Sequence, residues 1–328
     1  MLSIIIVNYN GQKFLPRLIK SLKEQKYSNI EILVVDNSSK DSSISYLKKY
    51  HADIKRVIIK NKGYGNACNA GVKHAKGKYL MFFNEDMYVP NDFIEKMIKC
   101  RKTLENSGKK MGAIGCKIVP FDTNPKKTEA YYGGKLDYLG FPNDNYNPNK
   151  NAFIINGCPF FIEKKLFLSI KGFNKSIFLY GEDADFSWRL KIFGYDNYIN
   201  NNTYLYHYGG GVIGKMGPKK LAYIIYGSFI PVVSNFSTLI LIFILPIYFI
   251  NLFFLNFAIL IYAKFNVKYN LALIQTYMGF IKTFKAVRKH RKFVQKNRKR
   301  HDFDIIENFT FVPSVLLNIY HKRIKKYI

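Results

Sequence analysis

From Leu221 to Ala263 the chain carries no charged side chain, and no other feature restricts its architecture as much. Leu239–Ala263 alone is long enough to cross a hydrocarbon core roughly 30 Å thick, a length that a helix inside a soluble core rarely needs. Lys215, Lys219 and Lys220 precede the run and Lys264 and Lys268 follow it. Basic flanks favour the cytoplasmic side, so both are drawn to the same face of a membrane. That points to a hairpin bent near Pro246 or a re-entrant segment in preference to a single span, within a membrane segment over 216–270. Ser234, Asn235, Asn251 and Asn256 lie inside the run and need partners there. The apolar stretch Ile4–Val7 is too short for a signal-peptide core and has no basic leader, so the N-terminal region is expected in the cytoplasm.

The formal net charge is +29, and its distribution is uneven: from Lys264 to Ile328 sixteen Lys or Arg face three Asp or Glu. Within Phe280–Arg300 the cations are interleaved with Phe280, Ile281, Phe284, Val287, Phe293 and Val294 at spacings that a helix partly segregates. A basic amphipathic tail over 271–328 suits a helix lying on anionic lipid, where each juxtamembrane cation gains about 1 kcal/mol. Nucleic acid would answer the same charge. The basic block directly follows a membrane-length segment, so anionic membrane lipids are the preferred partner and nucleic acid is disfavoured. Cys68, Cys100, Cys116 and Cys158 are far apart, with no Cys-x-x-Cys spacing to clamp zinc or run redox exchange, and read as reduced thiols.

Over 1–215 short β-branched runs alternate with amphipathic stretches, the pattern of a parallel sheet covered by helices. Ser3–Val7, Glu31–Val35, Arg56–Ile59, Tyr79–Phe83 and Ala113–Val119 read as strands, followed by strand-like Phe153–Asn156 and a strand near Tyr204–Tyr206. Phe14–Gln25, Ile44–Tyr50, Asn66–Ala75, Lys164–Ile170 and Asp183–Phe193 read as helices. Asp122–Lys150, rich in Asn, Pro, Gly and Tyr, reads as long loops carrying short strands. Parallel sheets bind ligands at their carboxyl edge, and here the strand ends carry Asn8–Gly11, Asp36–Ser39 and Asn84–Asp86. No Gly-x-Gly-x-x-Gly follows the first strand, so backbone amides cannot close on a pyrophosphate there, and a metal must meet that charge. Glu85 and Asp86 supply hard oxygen ligands suited to Mg²⁺ or Mn²⁺. Farther on, Glu182, Asp183 and Asp185 crowd three carboxylates before a helix, where acids also serve as simple dipole partners.

In order and spacing, SIIIVNYNG (Ser3–Gly11), EILVVDNSSKDSS (Glu31–Ser43), NKGYGNACNAG (Asn61–Gly71) and YLMFFNEDMYV (Tyr79–Val89) resemble the family 2 glycosyltransferases of GT-A fold. Asn156–Leu190 is similar to the acceptor region of that family, and His207 with Gly209–Gly211 to the histidine-glycine element that closes its site. The resemblance covers about two thirds of the chain and is nearest to the rhamnosyltransferase-like branch. It implies a Rossmann-like mixed sheet flanked by helices, with the C-terminal helices associated with membrane. By that resemblance Val7, Tyr9, Asp36 and Asn61 line the base and ribose pocket of a nucleotide-sugar donor, with Asn69 close by and Glu85 adding charge. Asp86 matches the last acid of the Asp-x-Asp signature and would hold Mg²⁺ or Mn²⁺ with help from His207, whereas Asn84 replaces the first acid. Asp183 matches the catalytic base, Glu182 would bind acceptor hydroxyls, and Trp188 would offer them an apolar face or belong to the core. The implied activity is inverting transfer to a glycan or polyprenyl-linked acceptor in cell-surface polysaccharide assembly, with the catalytic domain on the cytoplasmic side of the cell membrane. A membrane-anchored nucleotide-sugar-binding scaffold without turnover is the alternative that Asn84 motivates.

Overall fold

The computed structural model describes residues 1–121, 123–125, 133–144, 153–155, 157–209, 218–262 and 266–310. An eight-stranded sheet organises the first two thirds. Its strands are β1 (Leu2–Asn8), β2 (Ile30–Asp36), β3 (Lys55–Ile58), β4 (Tyr79–Asn84), β5 (Met87–Tyr88), β6 (Met111–Pro120), β9 (Phe160–Glu163) and β10 (Asp196–His207). A second sheet, in the order β11-β7-β8, joins β7 (Gly134–Asp137) and β8 (Pro142–Asp144) to β11 (Phe309–Thr310). The helices are α1 (Leu15–Lys23), α2 (Ser43–Tyr50), α3 (Tyr64–His74), α4 (Phe93–Asn106), α5 (Lys164–Ser169), α6 (Glu182–Ile192), α7 (Pro218–Asn235), α8 (Thr238–Tyr262) and α9 (Val267–Lys296).

The main sheet runs β3-β2-β1-β4-β9-β6-β10-β5. β1 is parallel to β2 and β4, and its seven residues are all buried, as a strand covered on both faces requires. Strand order reverses at β1, which therefore opens a crevice at the carboxyl edge, beside Asn8, Asp36 and Asn84. The sheet is mixed and not wholly parallel: β9 runs antiparallel to β4 and β6, and β5 runs antiparallel to β10. Phe160–Glu163 is too short a run for periodicity to separate from the helix that follows it, which hides β9 in the sequence. Phe153–Ile155 makes only an isolated bridge, between Ile154 and Gly134, and α4 has no counterpart among the predicted helices. One apolar layer packs β1, β2 and β4 against α3, α5 and α6, and a second packs the opposite face against α1 and α4.

The uncharged run divides. α7 is buried on the globular part, with Phe236 edge-on to Trp188 at 4.6 Å between centroids and Asn235 fully enclosed. The chain turns at Phe236–Ser237 and not at Pro246, which α8 passes without a break. Among the described residues one helix, over Thr238–Ala258, is long and apolar enough to cross a membrane. Asn156, Gly210–Gly211, Lys215, much of Asp122–Lys150 and the tail beyond 310 lie outside the described residues.

Candidate active site

At the crevice, Asn8 ties the ends of β1 and β2 together. Its Nδ2 lies 2.9 Å from Asp36 Oδ1, 3.1 Å from Ser39 Oγ and 2.9 Å from Ser43 Oγ. Asp36 is 2% exposed and its second oxygen accepts from the Ser39 amide at 3.0 Å, so both of its oxygens already shape this turn. Asn10, at φ 55°, bridges to the same segment through the Lys40 amide, 2.7 Å away. Val7 is buried beneath these ends, Tyr9 is half-buried, and Asn61 accepts from the Gly63 amide at 3.1 Å.

Glu85 turns back beneath this loop: a Cβ on Gly11 would sit 2.4 Å from Glu85 Cγ and 2.5 Å from Asn8 Oδ1. Only glycine fits there. Burial, reinforced by the Asp86 charge, pushes the Glu85 carboxyl up to about 8. The following side chain, Asp86, points the other way, with Oδ1 3.2 Å from His207 Nε2. The sheet makes this pairing, because β5 runs antiparallel to the end of β10 with His207 opposite Met87, and the Tyr208 amide bonds Asp86 O at 3.1 Å.

A carboxylate and an imidazole at one point form a donor set that a hard divalent ion can use, with substrate phosphates and water filling the remaining positions. Among the described residues no third His, Cys, Asp or Glu completes the cluster. The residues therefore fit an ion held jointly with the donor's diphosphate and not one caged by protein alone.

α6 begins with the acid turn. Asp183 Oδ2 accepts from the Gly157 amide at 3.2 Å and Oδ1 from the Ala184 amide at 2.8 Å. Burial raises the Cys158 thiol, and the charges of Asp86 and Asp183 both add to the rise, so both carboxylates lie near this one side chain. Burial raises Asp183, and it drives Glu182, together with the Asp183 charge, up to about 8. Glu182 Oε2 is buried without a hydrogen-bond partner among the described residues. Two close carboxyls that cannot comfortably ionise together make one a poised base and the other a proton-bearing neighbour.

The turn is held from three sides. Tyr180 sits at φ 64°, a left-handed conformation that a bulky side chain rarely adopts, and Gly181 at φ 81°. α7 packs there backbone to backbone: a Cβ on Gly227 would lie 2.0 Å from Tyr180 O, and one on Gly181 2.2 Å from Gly227 O. Below, Asp185 is enclosed with Arg189, whose Nε is 2.8 Å away while its other nitrogens bond Ile170 O and Gly172 O. His290 of α9 approaches Asp185 at 3.6 Å. The Arg189 and His290 charges overcome burial and hold Asp185 at about 2.

The structure decides the surroundings of two further residues. Trp188 is 0% exposed and packs on Phe153, Phe236 and Phe309, so it has no face to offer an acceptor; its position on α6 faces the core. Asn69, expected close by the nucleotide pocket, uses both ends of its amide on the Phe173 backbone, at 2.9 Å each, and fastens α3 to the loop that precedes α6. The contribution of α7 is absent from the sequence reading, although Gly227, the only glycine in the uncharged run, is the sort of isolated helical glycine that marks a close approach.

The family model described as Glycosyl transferase family 2 matches residues 3–168. An uncharacterised glycosyltransferase of Rickettsia prowazekii is 33% identical over 192 residues, 56% of this chain and 57% of that protein. The chain thus spans little more than half the length of this curated relative. Among solved structures, residues 1–349 of Staphylococcus aureus TarS in complex with UDP superpose with a TM-score of 0.54 at 15% identity, covering 90% of each chain. A mannosyltransferase of Pyrobaculum calidifontis in complex with GDP-Man and Mn²⁺ gives 0.51 at 16% identity, over 90% of this chain and 85% of that one. These likenesses establish the GT-A fold.

Proposed function

This chain belongs to glycosyl transferase family 2, and from that premise we propose that it transfers a hexosyl or rhamnosyl group, with inversion, from a nucleotide sugar to a membrane-held acceptor. The observation that carries the reading is that Asp183, held by the Gly157 amide at 3.2 Å, and Asp86, paired with His207 at 3.2 Å, both lie near the buried Cys158. The UDP and GDP-Man named for the structural neighbours supply the donor class, and the Mn²⁺ of the latter supports a divalent ion at Asp86 and His207.

In this reading the crevice at Asn8–Gly11 and Asp36–Ser39 receives the nucleoside, and the diphosphate reaches Asp86. Asp86 and His207 would hold a divalent ion there, which would offset the charge of the departing diphosphate. Asp183, raised toward neutrality by burial, takes the proton of the acceptor hydroxyl as its oxygen attacks the anomeric carbon from the face opposite the leaving group. Attack from the opposite face inverts the configuration. Glu182, protonated near neutral pH, donates to an acceptor oxygen and leaves Asp183 as the ionised member of the pair. The exposed apolar side chains of α8 support an acceptor held at the membrane, a glycan precursor on a polyprenyl carrier, with the catalytic domain on the cytoplasmic side.

Asp183→Asn tests the assignment: transfer from UDP- or GDP-sugars falls at least about a thousandfold while nucleotide binding by calorimetry is retained. Undiminished turnover removes Asp183 as the base. Nucleotide binding without turnover by the parent protein, across a panel of donors, would instead favour a binding scaffold, the reading that Asn84 motivates.

A further inference from the structure

The direction of the three C-terminal helices limits how the chain can meet a bilayer. Tyr226 of α7 meets Thr283 of α9, and farther along Val233 and Phe236 accept from Arg291 at 2.7 and 2.6 Å. Later residues of α7 therefore meet later residues of α9, and the two helices are parallel. α8 runs back between their ends. Its first residue, Thr238, accepts from Arg291 at 3.1 Å, its middle residue Tyr248 bonds Ser228 at 3.2 Å, and Asn256 bonds Tyr277.

α7 in turn is fixed to the catalytic part along its length. Gly227 abuts Tyr180, and Ser228 O lies against Gly140, where a Cβ would come within 2.4 Å. Asn235 and Phe236 enclose α6. The midpoint of α8 is thus one helix away from the acid turn, about 8–10 Å between axes. Crossing a hydrocarbon core of roughly 30 Å would place that midpoint at the bilayer centre and draw the polar Tyr180–Asp183 turn in with it.

The exposed surface agrees with a different placement. α8 is buried along one narrow stripe, Tyr248, Leu252 and Leu255, and presents Phe243, Phe253, Phe254 and Phe257 at 56–66% exposure. On α9 the stripe Val267, Leu271, Ile274, Met278 and Ile281 is also exposed. The next positions on the same helical face, Lys285, Arg288 and Lys292, are exposed cations. One face of a single helix passes from apolar to basic, matching the order of acyl chains and anionic headgroups in one leaflet.

We propose that α8 and α9 form a monotopic docking surface for an anionic lipid leaflet, bedded from one side with the last turns of α8 and the first turns of α9 deepest, and that α8 does not cross the bilayer. This deepens the membrane-held reading above and rests on it. The acceptor site opened by α6 would then sit a fixed distance above the lipid plane, since α7 joins both.

The full chain is added to sealed vesicles of phosphatidylcholine with 30 mol% phosphatidylglycerol, with parent protein and Lys268→Cys compared. The four native thiols are buried or half-buried, so the parent sets the background. The expected result is flotation with the vesicles and no reaction of the introduced thiol with an impermeant maleimide trapped inside them. Reaction with the trapped reagent means that α8 crosses and overturns the proposal, leaving membrane attachment intact. Absence of flotation overturns both. Lys285→Gln, Arg288→Gln and Lys292→Gln together should lower partitioning about a hundredfold, since each cation near such a surface is worth roughly fivefold. They should leave the weak partitioning onto pure phosphatidylcholine unchanged, and an equal loss on both surfaces would refute the basic half of the face.

Discussion

Gly227→Ala is the most informative single substitution, because it adds one methyl group between a helix of the uncharged run and the turn that carries the candidate base. The added Cβ would lie 2.0 Å from Tyr180 O and 2.8 Å from Tyr180 C, whereas ordinary contact begins at 3.4 Å. The two backbones must therefore separate by about 1.4 Å at this point, the difference between 3.4 and 2.0 Å. α7 cannot retreat freely, since Asn235 and Phe236 anchor it on α6, and the strained Tyr180–Gly181 turn is the softer partner. Asp183 is three residues farther on and moves with it. A misplacement of roughly 1 Å costs on the order of 10²-fold in rate. Overpacking costs about 1–3 kcal/mol, and replacing Gly by Ala inside a helix returns about 1 kcal/mol, so stability falls only modestly. The expected pattern is a kcat about a hundredfold lower, with nucleotide affinity unchanged because the β1 and β2 ends are untouched. Initial rates of transfer, calorimetry with the nucleotide and a urea titration read these three quantities. Ser228→Ala, one residue along and facing Tyr248, is the control and should keep its rate within about threefold of the parent. A Gly227→Ala enzyme with near-parent kcat, or equal losses in both variants, would refute the claim that this contact positions Asp183.

Three further outcomes follow from the same geometry. Arg189→Met strands Asp185 in a fully enclosed position and frees two carbonyls, so it should cost about 3–5 kcal/mol by urea denaturation, and a loss below about 1 kcal/mol would contradict the buried-pair account. Because Asp185 is held near 2 against an unfolded value of about 3.9, its contribution is present above pH 4 and is lost as pH falls toward 2, where the deficit of the variant should shrink. Glu182 behaves oppositely: its carboxyl, lifted to about 8 from 4.5, opposes folding as pH rises through that interval, so Glu182→Gln should gain thermal stability over the parent at pH 8.5 and little at pH 5. Asp86→Asn and His207→Ala should each raise the Mn²⁺ concentration needed for half-maximal turnover about tenfold or more, and unchanged metal titrations would remove that pair as ligands.

The parts of the site legible in the sequence are those written at strand ends. Asn8, Asp36 and Asp86 each close a short β-branched run, and the alternation of such runs with amphipathic helices specifies the β1-β2-β4 order that brings them to one edge. What the sequence hides is the partner of each group. Asp36 looks free for a ribose until the Asn8 amide and Ser39 are found on its two oxygens. Trp188 and Asp183 share one helix start, but α6 is enclosed by α7 on the side that Trp188 faces, and periodicity cannot reveal which side of a short helix is covered. β9 escapes for a related reason, as an antiparallel insertion whose pairing is set by contacts nearly eighty residues away in sequence.

The uncharged run shows how composition and geometry can diverge. Absence of charge marks Leu221–Ala263 as a segment withheld from water, but it does not say whether protein or lipid does the withholding. Exposure along the run discriminates. Ser228, Ser234 and Asn235, in the first half, are all buried, and Asn235 meets the Asp185 carboxylate at 3.5 Å, so this half is covered by the catalytic domain. In the second half Asn251 bonds Ile247 O at 2.8 Å and also Tyr138, and Asn256 bonds Tyr277 of α9, while phenylalanines stand exposed around them. Polar partners are thus found in both halves, and the difference lies in the apolar surface, enclosed by protein in the first half and left exposed in the second. The boundary between the two therefore falls at Phe236–Ser237, where α7 ends, and the segment that presses on the acid turn is continuous with the one proposed to meet the membrane.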